Sequence, residues 1–197
     1  MERFTSSVPG AGVSAPSGIA SNLRLFTTAL IIIISDQVVK RVVVTVLGMG
    51  ETRDVWGTFF RLTRTENTGA AFGIFRGQGT WFIIISALAA AAIVFFRREI
   101  ARMRSLHQVA FGLVLGGAIG NLIDRVRLGA VVDYLDLGFG GARWPAFNIA
   151  DSAITIGVVL LAVHLVFMSE PGSNGSSTDS LGPSAESEGE SGVDDVV

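Results

Sequence analysis

Residues 112–125 read Gly-Leu-Val-Leu-Gly-Gly-Ala-Ile-Gly-Asn-Leu-Ile-Asp-Arg, an apolar stretch that ends in polar side chains. Glycine recurs at every fourth position, at Gly112, Gly116 and Gly120. This spacing of small residues lets helix backbones approach closely inside a membrane. We therefore predict a tightly packed membrane helix whose end presents polar groups to a boundary of the bilayer.

The composition of the 197-residue chain also indicates lipid as its solvent. The chain is 49% hydrophobic and only 16% charged, and its mean hydropathy is +0.54. A soluble domain of this length rarely combines so few charges with so many long apolar runs. The chain has no cysteine and two histidines, His107 and His164. We therefore predict no disulfide, no metal site and no cofactor.

Four stretches are apolar enough to cross a bilayer, which takes about 20 residues each. They are residues 25–46, 80–97, 107–127 and 149–168. Because backbone in lipid must satisfy its own hydrogen bonds, these stretches are expected to be helices. The predicted fold is an all-α integral membrane protein with four transmembrane helices in a domain of residues 23–168.

The two ends of the chain are polar. Residues 1–22 are rich in Ser, Gly, Ala and Pro, and residues 169–197 hold seven acidic and no basic side chains. Both segments have too little apolar surface to offset chain entropy, so we predict disordered tails.

A cluster of arginines predicts the orientation of the spans. The short link between the second and third spans holds four of them with the single Glu99. They are Arg97, Arg98, Arg102 and Arg104. By the positive-inside rule this link and both termini are cytoplasmic, and the loops 47–79 and 128–148 face outward.

The first outward loop predicts a small surface element. Residues 58–66 alternate weakly and contain β-branched residues, which favours a short extended stretch before a turn at Asn67-Thr68-Gly69. Aromatic residues surround it and would suit an amphipathic loop helix on the outer face. They are Trp56, Phe59, Phe60, Phe72, Phe75 and Trp81.

Two charged residues interrupt the first span. Asp36 is followed one helical turn later, on the same face, by Lys40. A carboxylate near the bilayer centre costs roughly 2.5–3.5 kcal/mol on insertion scales. The two residues either form an ion pair that only neutralises itself or contribute to a functional site.

Three further carboxylates, Asp124, Asp133 and Asp151, converge on one boundary of the predicted spans. Asp124 and Asp151 each follow an asparagine by three positions, so an amide on the same helical face can orient each carboxylate. Asp124 also adjoins Arg125, and we predict an ion pair between them. Asp133 and Asp151 are then left without an obvious cation.

Two unpaired carboxylates that lie together tend to share one proton. Sharing produces a base that activates water and an acid that protonates a leaving group, as in aspartic peptidases. Alternatively, Asp133 starts a short helix and Asn148 or Asp151 caps the fourth span. A small proton-coupled transporter would also place carboxylates in membrane helices.

Five blocks of the sequence, in order, closely resemble the lipoprotein signal peptidase family, also called signal peptidase II. The blocks are Asp36-Gln-Val-Val-Lys40, Asn67-Thr-Gly-Ala-Ala-Phe-Gly73, Gly116-Gly-Ala-Ile-Gly-Asn-Leu-Ile-Asp-Arg125, Val131-Val-Asp-Tyr134 and Phe147-Asn-Ile-Ala-Asp-Ser-Ala-Ile154. The resemblance implies a four-helix, multi-pass peptidase of the bacterial cytoplasmic membrane with its site near the outer face. Such enzymes remove signal peptides from prolipoproteins, cutting before a diacylglyceryl-modified cysteine.

The resemblance also implies partners and site residues. The partners are diacylglyceryl-modified prolipoproteins, membrane lipids and peptide inhibitors such as globomycin, with no nucleic acid. The family's catalytic aspartates correspond to Asp133 and Asp151. Supporting or substrate-binding positions correspond to Asp36, Lys40, Asn67, Gly69, Asn121, Asp124, Arg125, Asn148 and Ala150.

The residues also bear on the stabilisation of an intermediate and on a second class of aspartyl peptidase. Hydrogen bonds from Asn67, Asn121 or Arg125 are candidates for stabilising a tetrahedral intermediate. Intramembrane aspartyl peptidases of the presenilin or prepilin type resemble Gly-x-Gly-Asp at a catalytic residue. The nearest string here, Gly48-Met-Gly-Glu51, ends in glutamate, so that class is disfavoured.

Overall fold

The computed structural model describes residues 18–69, 79–139 and 141–168. The elements in chain order are α1 (Gly18–Val46), β1 (Thr52–Trp56), β2 (Phe60–Asn67), α2 (Gly79–Phe95), α3 (Arg97–Ile100), α4 (Ser105–Leu128), β3 (Val131–Phe139), β4 (Ala142–Arg143) and α5 (Ile149–Met168). The predicted tails lie largely outside the described residues, and α1 begins at Gly18, before the predicted start of the domain at residue 23.

Helix α4 lies at the centre and packs against α1, α2 and α5. A Cβ atom built on Gly116 would lie 2.7 Å from the carbonyl oxygen of Ala29 in α1. On the other side of α4, a Cβ atom on Gly117 would collide with the carbonyl oxygen of Ala150 in α5. The predicted close packing of the glycine-rich helix is confirmed.

We expect Gly116→Ala to lower the free energy of unfolding by about 1–3 kcal/mol, because the added methyl group forces α1 and α4 apart. The measurement is the midpoint of thermal unfolding in detergent. Gly79→Ala is the matched control, since a Cβ atom on this helical glycine meets nothing closer than 3.7 Å. Equal midpoints for both variants would contradict the close packing.

The four strands form one antiparallel sheet in the order β1-β2-β3-β4. Strand β3 follows α4 almost directly, because Gly129 ends the helix in the left-handed conformation, with φ of 74°. The pairing of β2 with β3 sets Asn67 opposite Val131. The predicted extended stretch at 58–66 is confirmed within β2, and it places Asn67 beside the strand that carries Asp133.

Two apolar clusters hold these elements together. One joins the helices and is built on buried Leu25, Ala29, Ile93, Ile100 and Leu115. The other lies between α1 and the sheet, where Tyr134 of β3 packs with Val43 and Leu47. The second cluster fixes the sheet against the end of α1.

The predicted all-α fold with four transmembrane helices is wrong. The structure has five helices and a four-stranded sheet in its described part. By length and composition, two of the described helices, Ser105–Leu128 and Ile149–Phe167, can cross a membrane, while Gly79–Phe95 is apolar but shorter. Strand β3 is buried along most of its length, so it lacks the alternation that identifies a strand from sequence.

The predicted amphipathic loop helix is also absent from the described part of the first loop. Trp56 and Phe60 belong to strands, and Trp81 lies in α2. Phe72 and Phe75 lie outside the described residues. The aromatic residues near position 60 therefore follow the edge of a sheet rather than one face of a helix.

Candidate active site

Asn148 connects the two aspartates that the sequence singled out. Its side-chain Nδ2 donates a hydrogen bond to Asp133 Oδ1 at 2.7 Å, and its backbone N–H donates to Asp151 Oδ2 at 3.2 Å. The backbone N–H of Asp151 donates in return to Asn148 Oδ1 at 2.9 Å. Asn148 thus caps α5, as the helix-cap interpretation expects, and the same residue bridges Asp133 and Asp151.

Asp133 is a buried carboxyl group on β3. Burial, and next to it the charge of Asp151, raises the pKa of Asp133 to about 7. Hydrogen bonds act in the opposite direction: Asn67 Nδ2 donates to Asp133 Oδ2 at 3.2 Å, beside the bond from Asn148. The site therefore holds a carboxyl group that is partly protonated at neutral pH.

Asp151 lies in the first turn of α5 and is less buried than Asp133. The N-terminus of a helix favours a negative charge at this position. Asn121 Nδ2 donates to Asp151 Oδ1 at 2.7 Å, so both carboxylate oxygens accept a hydrogen bond. These contacts hold both carboxylate oxygens of Asp151 in place at the start of α5.

A buried charge network lies behind the two aspartates. Lys40 Nζ is 2.8 Å from Asp36 Oδ2 and 2.7 Å from Asp124 Oδ2. It also donates to Asn121 Oδ1 at 3.2 Å, and Asn148 Nδ2 lies at 3.2 Å from the same oxygen. The ion pair between Asp36 and Lys40 is present. It is connected to the site because Asn121 accepts a hydrogen bond from Lys40 and donates one to Asp151.

Asp36 also contacts the helix that carries Asp151. Its Oδ1 accepts a hydrogen bond from the backbone N–H of Ala150 at 3.1 Å. A Cβ atom on Gly120 would lie 2.8 Å from Asp36 Oδ2, so glycine leaves the space that this carboxylate occupies. Asp36 and Ala150 therefore fix the first turn of α5 against α1.

Gln37 belongs to this network, although the sequence analysis did not assign it to the site. Its Nε2 donates to Asp124 Oδ1 at 2.9 Å and to the carbonyl oxygen of Gly120 at 3.2 Å. An amide inside an apolar helix needs a partner. The position of Gln37 in an apolar helix, directly after Asp36, therefore indicated that it has a polar partner in this network.

The predicted ion pair between Asp124 and Arg125 is wrong. Asp124 pairs with Lys40 instead, and it also accepts a hydrogen bond from the backbone N–H of Val132 at 3.2 Å. Adjacent residues of a helix point about 100° apart, so Asp124 and Arg125 face different neighbours. Within the described residues Arg125 forms no ion pair, and its Nε has no hydrogen-bond partner.

Arg125 faces the loop after β2. Its Nη2 donates to the carbonyl oxygen of Gly69 at 3.4 Å, and its guanidinium carbon lies 5.2 Å from the centre of the Phe82 ring. The backbone N–H of Gly69 donates to Asn67 Oδ1 at 3.0 Å, which closes the predicted turn. Arg125, Gly69 and Asn67 thus form one side of the site.

A pocket of about 520 Å³ opens onto these groups. Asp133, Asp151, Arg125, Asn67 and Gly69 line it, whereas Asn121, Asn148, Ala150 and the charged groups around Lys40 are not lining residues. Its other walls include Phe147 and Ser152, which lie in the last of the five blocks, and Trp144, Pro145, Thr155 and Ile156, which no motif identified in the sequence. A mostly apolar pocket with a few converging polar groups is typical of a ligand site.

Known proteins are similar to this chain in sequence and in fold. The family described as signal peptidase (SPase) II matches residues 28–167. A lipoprotein signal peptidase of Desulforapulum autotrophicum is 41% identical over 154 residues, covering 76% of this chain and 95% of that protein. One of Symbiobacterium thermophilum is 40% identical over 144 residues, covering 73% and 95%.

Two solved structures, each described as a bacterial membrane enzyme, are also similar. Both are 39% identical to this chain, with TM-scores of 0.68 and 0.66. The first match covers 75% of this chain and 88% of the other, and the second covers 76% and 94%.

These similarities define a bacterial membrane enzyme of the peptidase class. The chain belongs to the signal peptidase II family. It is a protease, and therefore a hydrolase, so neither the transporter nor the presenilin-type interpretation is retained.

Proposed function

We propose that this chain removes the signal peptide from prolipoproteins by hydrolysing the bond before a diacylglyceryl-modified cysteine, with Asp133 and Asp151 as the catalytic pair. The observation that carries the proposal is the arrangement of these two carboxyl groups. They come from β3 and α5, are bridged by Asn148, and open into one pocket. Family membership supports the same reaction.

The surroundings of the two aspartates support different roles. Asp133, whose pKa is raised to about 7, is the acid, and Asp151, at the start of a helix, is the base. Asp151 takes a proton from water as the water oxygen attacks the scissile carbonyl carbon. The proton of Asp133 passes to the nitrogen of the scissile bond as the oxyanion collapses and the C–N bond breaks, so the amine leaves in its neutral form. Asp133 is then ionised and Asp151 holds the proton taken from water.

Contacts at the site distinguish the three groups considered for stabilising the tetrahedral intermediate. The amides of Asn67 and Asn121 already donate to Asp133 and Asp151, so they position the aspartates. Arg125 lines the pocket, and its positive charge interacts with both Asp151 and Asp133. We therefore assign the developing oxyanion to Arg125.

The test of this function is cleavage of a diacylglyceryl-modified prolipoprotein by the purified protein in detergent, followed by the change in substrate size on a gel. We expect loss of the signal peptide from the modified substrate and none from the same precursor without the lipid. Mass spectrometry of the product should place the lipid-modified cysteine at its new N-terminus. Equal cleavage of both precursors would contradict the proposed specificity.

The proposed acid predicts the response of activity to pH. Asp133 acts in its protonated form, so kcat/KM should fall as the pH rises through about 7. The hydrogen bond from Asn67 lowers the pKa of Asp133. We therefore expect Asn67→Ala to shift the alkaline fall in kcat/KM to higher pH, in addition to any loss of rate. A shift to lower pH would contradict the assignment of Asp133 as the acid.

We propose that the enzyme lies in the bacterial cytoplasmic membrane, with both termini inside and the site near the outer face. The four arginines between residues 97 and 104 support this orientation. Because the chain has no cysteine, a single Ser105→Cys should react with a membrane-impermeant maleimide only after cells are permeabilised. Thr58→Cys, in the exposed turn between β1 and β2, should react in intact cells, and the reverse pattern would invert the orientation.

A further inference from the structure

One face of the sheet is polar from β1 to β4. Residues opposite each other on paired strands point to the same face. Arg61 stands opposite both Asp54 of β1 and Asp136 of β3. Arg61 Nε is 2.8 Å from Asp54 Oδ1, and Arg143 Nε is 2.6 Å from Asp136 Oδ1. A row of paired charges therefore crosses this face and suits contact with water.

The other face of the same strands is apolar. Leu62 stands opposite Leu135, Phe60 opposite Leu137, and Trp56 opposite Phe60. At the end near α1, Leu62 and Leu135 pack against the apolar cluster that fixes the sheet to that helix. The apolar face thus begins at the membrane helices and continues away from them.

At its far end this apolar face is uncovered. Trp56 is 74% exposed, Phe139 is 71% exposed and Phe59 is 36% exposed. Their rings form edge-to-face contacts, 5.8 Å from Trp56 to Phe59 and 4.8 Å from Phe59 to Phe139. We call these three residues the aromatic tip. It is a contiguous aromatic surface rather than scattered exposed side chains.

We infer that the aromatic tip inserts into the interface of the lipid bilayer, in the leaflet next to the catalytic pocket. The apolar face runs from its contact with α1 through Leu62, Phe60 and Leu137 to the tip, with Arg53 opposite Leu62 at its edge. The ion pairs of Arg61 and Arg143 lie on the opposite face. An element with one charged and one aromatic face lies in the plane of the membrane interface, with its rings among the headgroups and upper acyl chains.

The position of the tip gives this contact a consequence for the site. Strand β3 carries Asp133 near its start and Phe139 at its end. The backbone N–H of Trp144, which lines the pocket, donates to the carbonyl oxygen of Leu137 at 2.8 Å. A tip seated in lipid therefore holds both β3 and the rim of the pocket at a constant depth relative to the membrane surface.

The test is fluorescence quenching of the full-length protein in vesicles of phosphatidylcholine and phosphatidylglycerol. Trp81→Phe with Trp144→Phe leaves Trp56 as the reporter, because the chain has three tryptophans. The control adds Trp56→Phe and Asp54→Trp. This moves the reporter to the polar face, because the register shifts between Asp54, opposite Arg61, and Trp56, opposite Phe60. We expect lipids brominated near the headgroup to quench Trp56 about threefold more than the control, and aqueous iodide to do the reverse.

Each outcome decides the inference. Equal access of iodide to both reporters, with no quenching by brominated lipid, would overturn it. A Trp56 protected from iodide and from lipid alike would also overturn it, because a second copy or another protein would then cover the tip. If the reporter variant does not fold, Phe139→Trp with all three native tryptophans changed to phenylalanine repeats the measurement. The result does not depend on cleavage, so it can fail while the proposed catalytic pair stands.

Discussion

Asp133→Asn is expected to lower kcat for cleavage of a diacylglyceryl-modified prolipoprotein by about a thousandfold, because the variant cannot donate the acid proton. The substitution keeps the shape of the side chain and an oxygen that accepts from Asn148. In the variant an NH2 group replaces Asp133 Oδ2, so the hydrogen bond from Asn67 Nδ2 is lost. The protein should therefore insert and fold while losing activity, as measured by initial rates and by the thermal unfolding midpoint.

Asp151→Asn should have a loss of similar size, since it removes the proposed base. Asp54→Asn is the matched control, because this aspartate is exposed, lies on the polar face of the sheet and forms an ion pair with Arg61. Its cleavage rate should stay close to that of the unmodified protein. Substantial residual cleavage by Asp133→Asn, with a normal unfolding midpoint, would contradict the assignment of Asp133 and Asp151 as the catalytic pair.

Lys40→Met is expected to lower the free energy of unfolding by about 3–5 kcal/mol, the largest stability change among these variants. Lys40 lies between the buried carboxylates of Asp36 and Asp124, at 2.8 and 2.7 Å. All three side chains are at most 5% exposed. Removing the cation leaves two buried like charges with hydrogen bonds but without the positive charge of Lys40 to compensate them. The measurement is thermal unfolding in detergent, with expression level in membranes as a second readout.

Two comparisons separate this effect from a general loss of a lysine. Arg53→Met breaks an exposed ion pair with Glu51 and should change stability by less than about 1 kcal/mol. Adding Asp36→Asn and Asp124→Asn to Lys40→Met removes the uncompensated charges and should restore part of the loss. An unchanged unfolding midpoint for Lys40→Met alone would show that the network does not stabilise the fold.

The asparagines explain why the site is read differently from sequence and from structure. In sequence, Asn121 and Asn148 stand three positions before Asp124 and Asp151, so each amide was paired with the carboxylate of its own helix. In the structure only the backbone N–H of Asn148 donates to the Asp151 carboxylate, and its side-chain amide donates to Asp133. The side-chain amide of Asn121 crosses from α4 to α5 and donates to Asp151. Spacing along one helix predicts local contacts and carries no information about a contact between helices.

Local features of the chain determined the elements that carry the site. Apolar runs of sufficient length, the glycines at every fourth position and the turn at Asn67 predicted helices, close packing and the end of an extended stretch. The grouping of Asp133 and Asp151 at one boundary also followed from the order of these elements. Each of these predictions depends on residues close together in sequence, where the period of a helix or the geometry of a turn decides the outcome.

Only the tertiary structure decided the sheet and the partners of the buried charges. Strand β2 pairs with β3 across more than sixty residues, and neither strand alternates cleanly between polar and apolar side chains. Lys40 neutralises Asp124 because Gly116 and Gly120 bring α4 against α1, whereas Arg125 beside it points elsewhere. Pairing between distant segments depends on how helices and strands pack, and the identity of a charged residue does not specify which opposite charge will lie beside it.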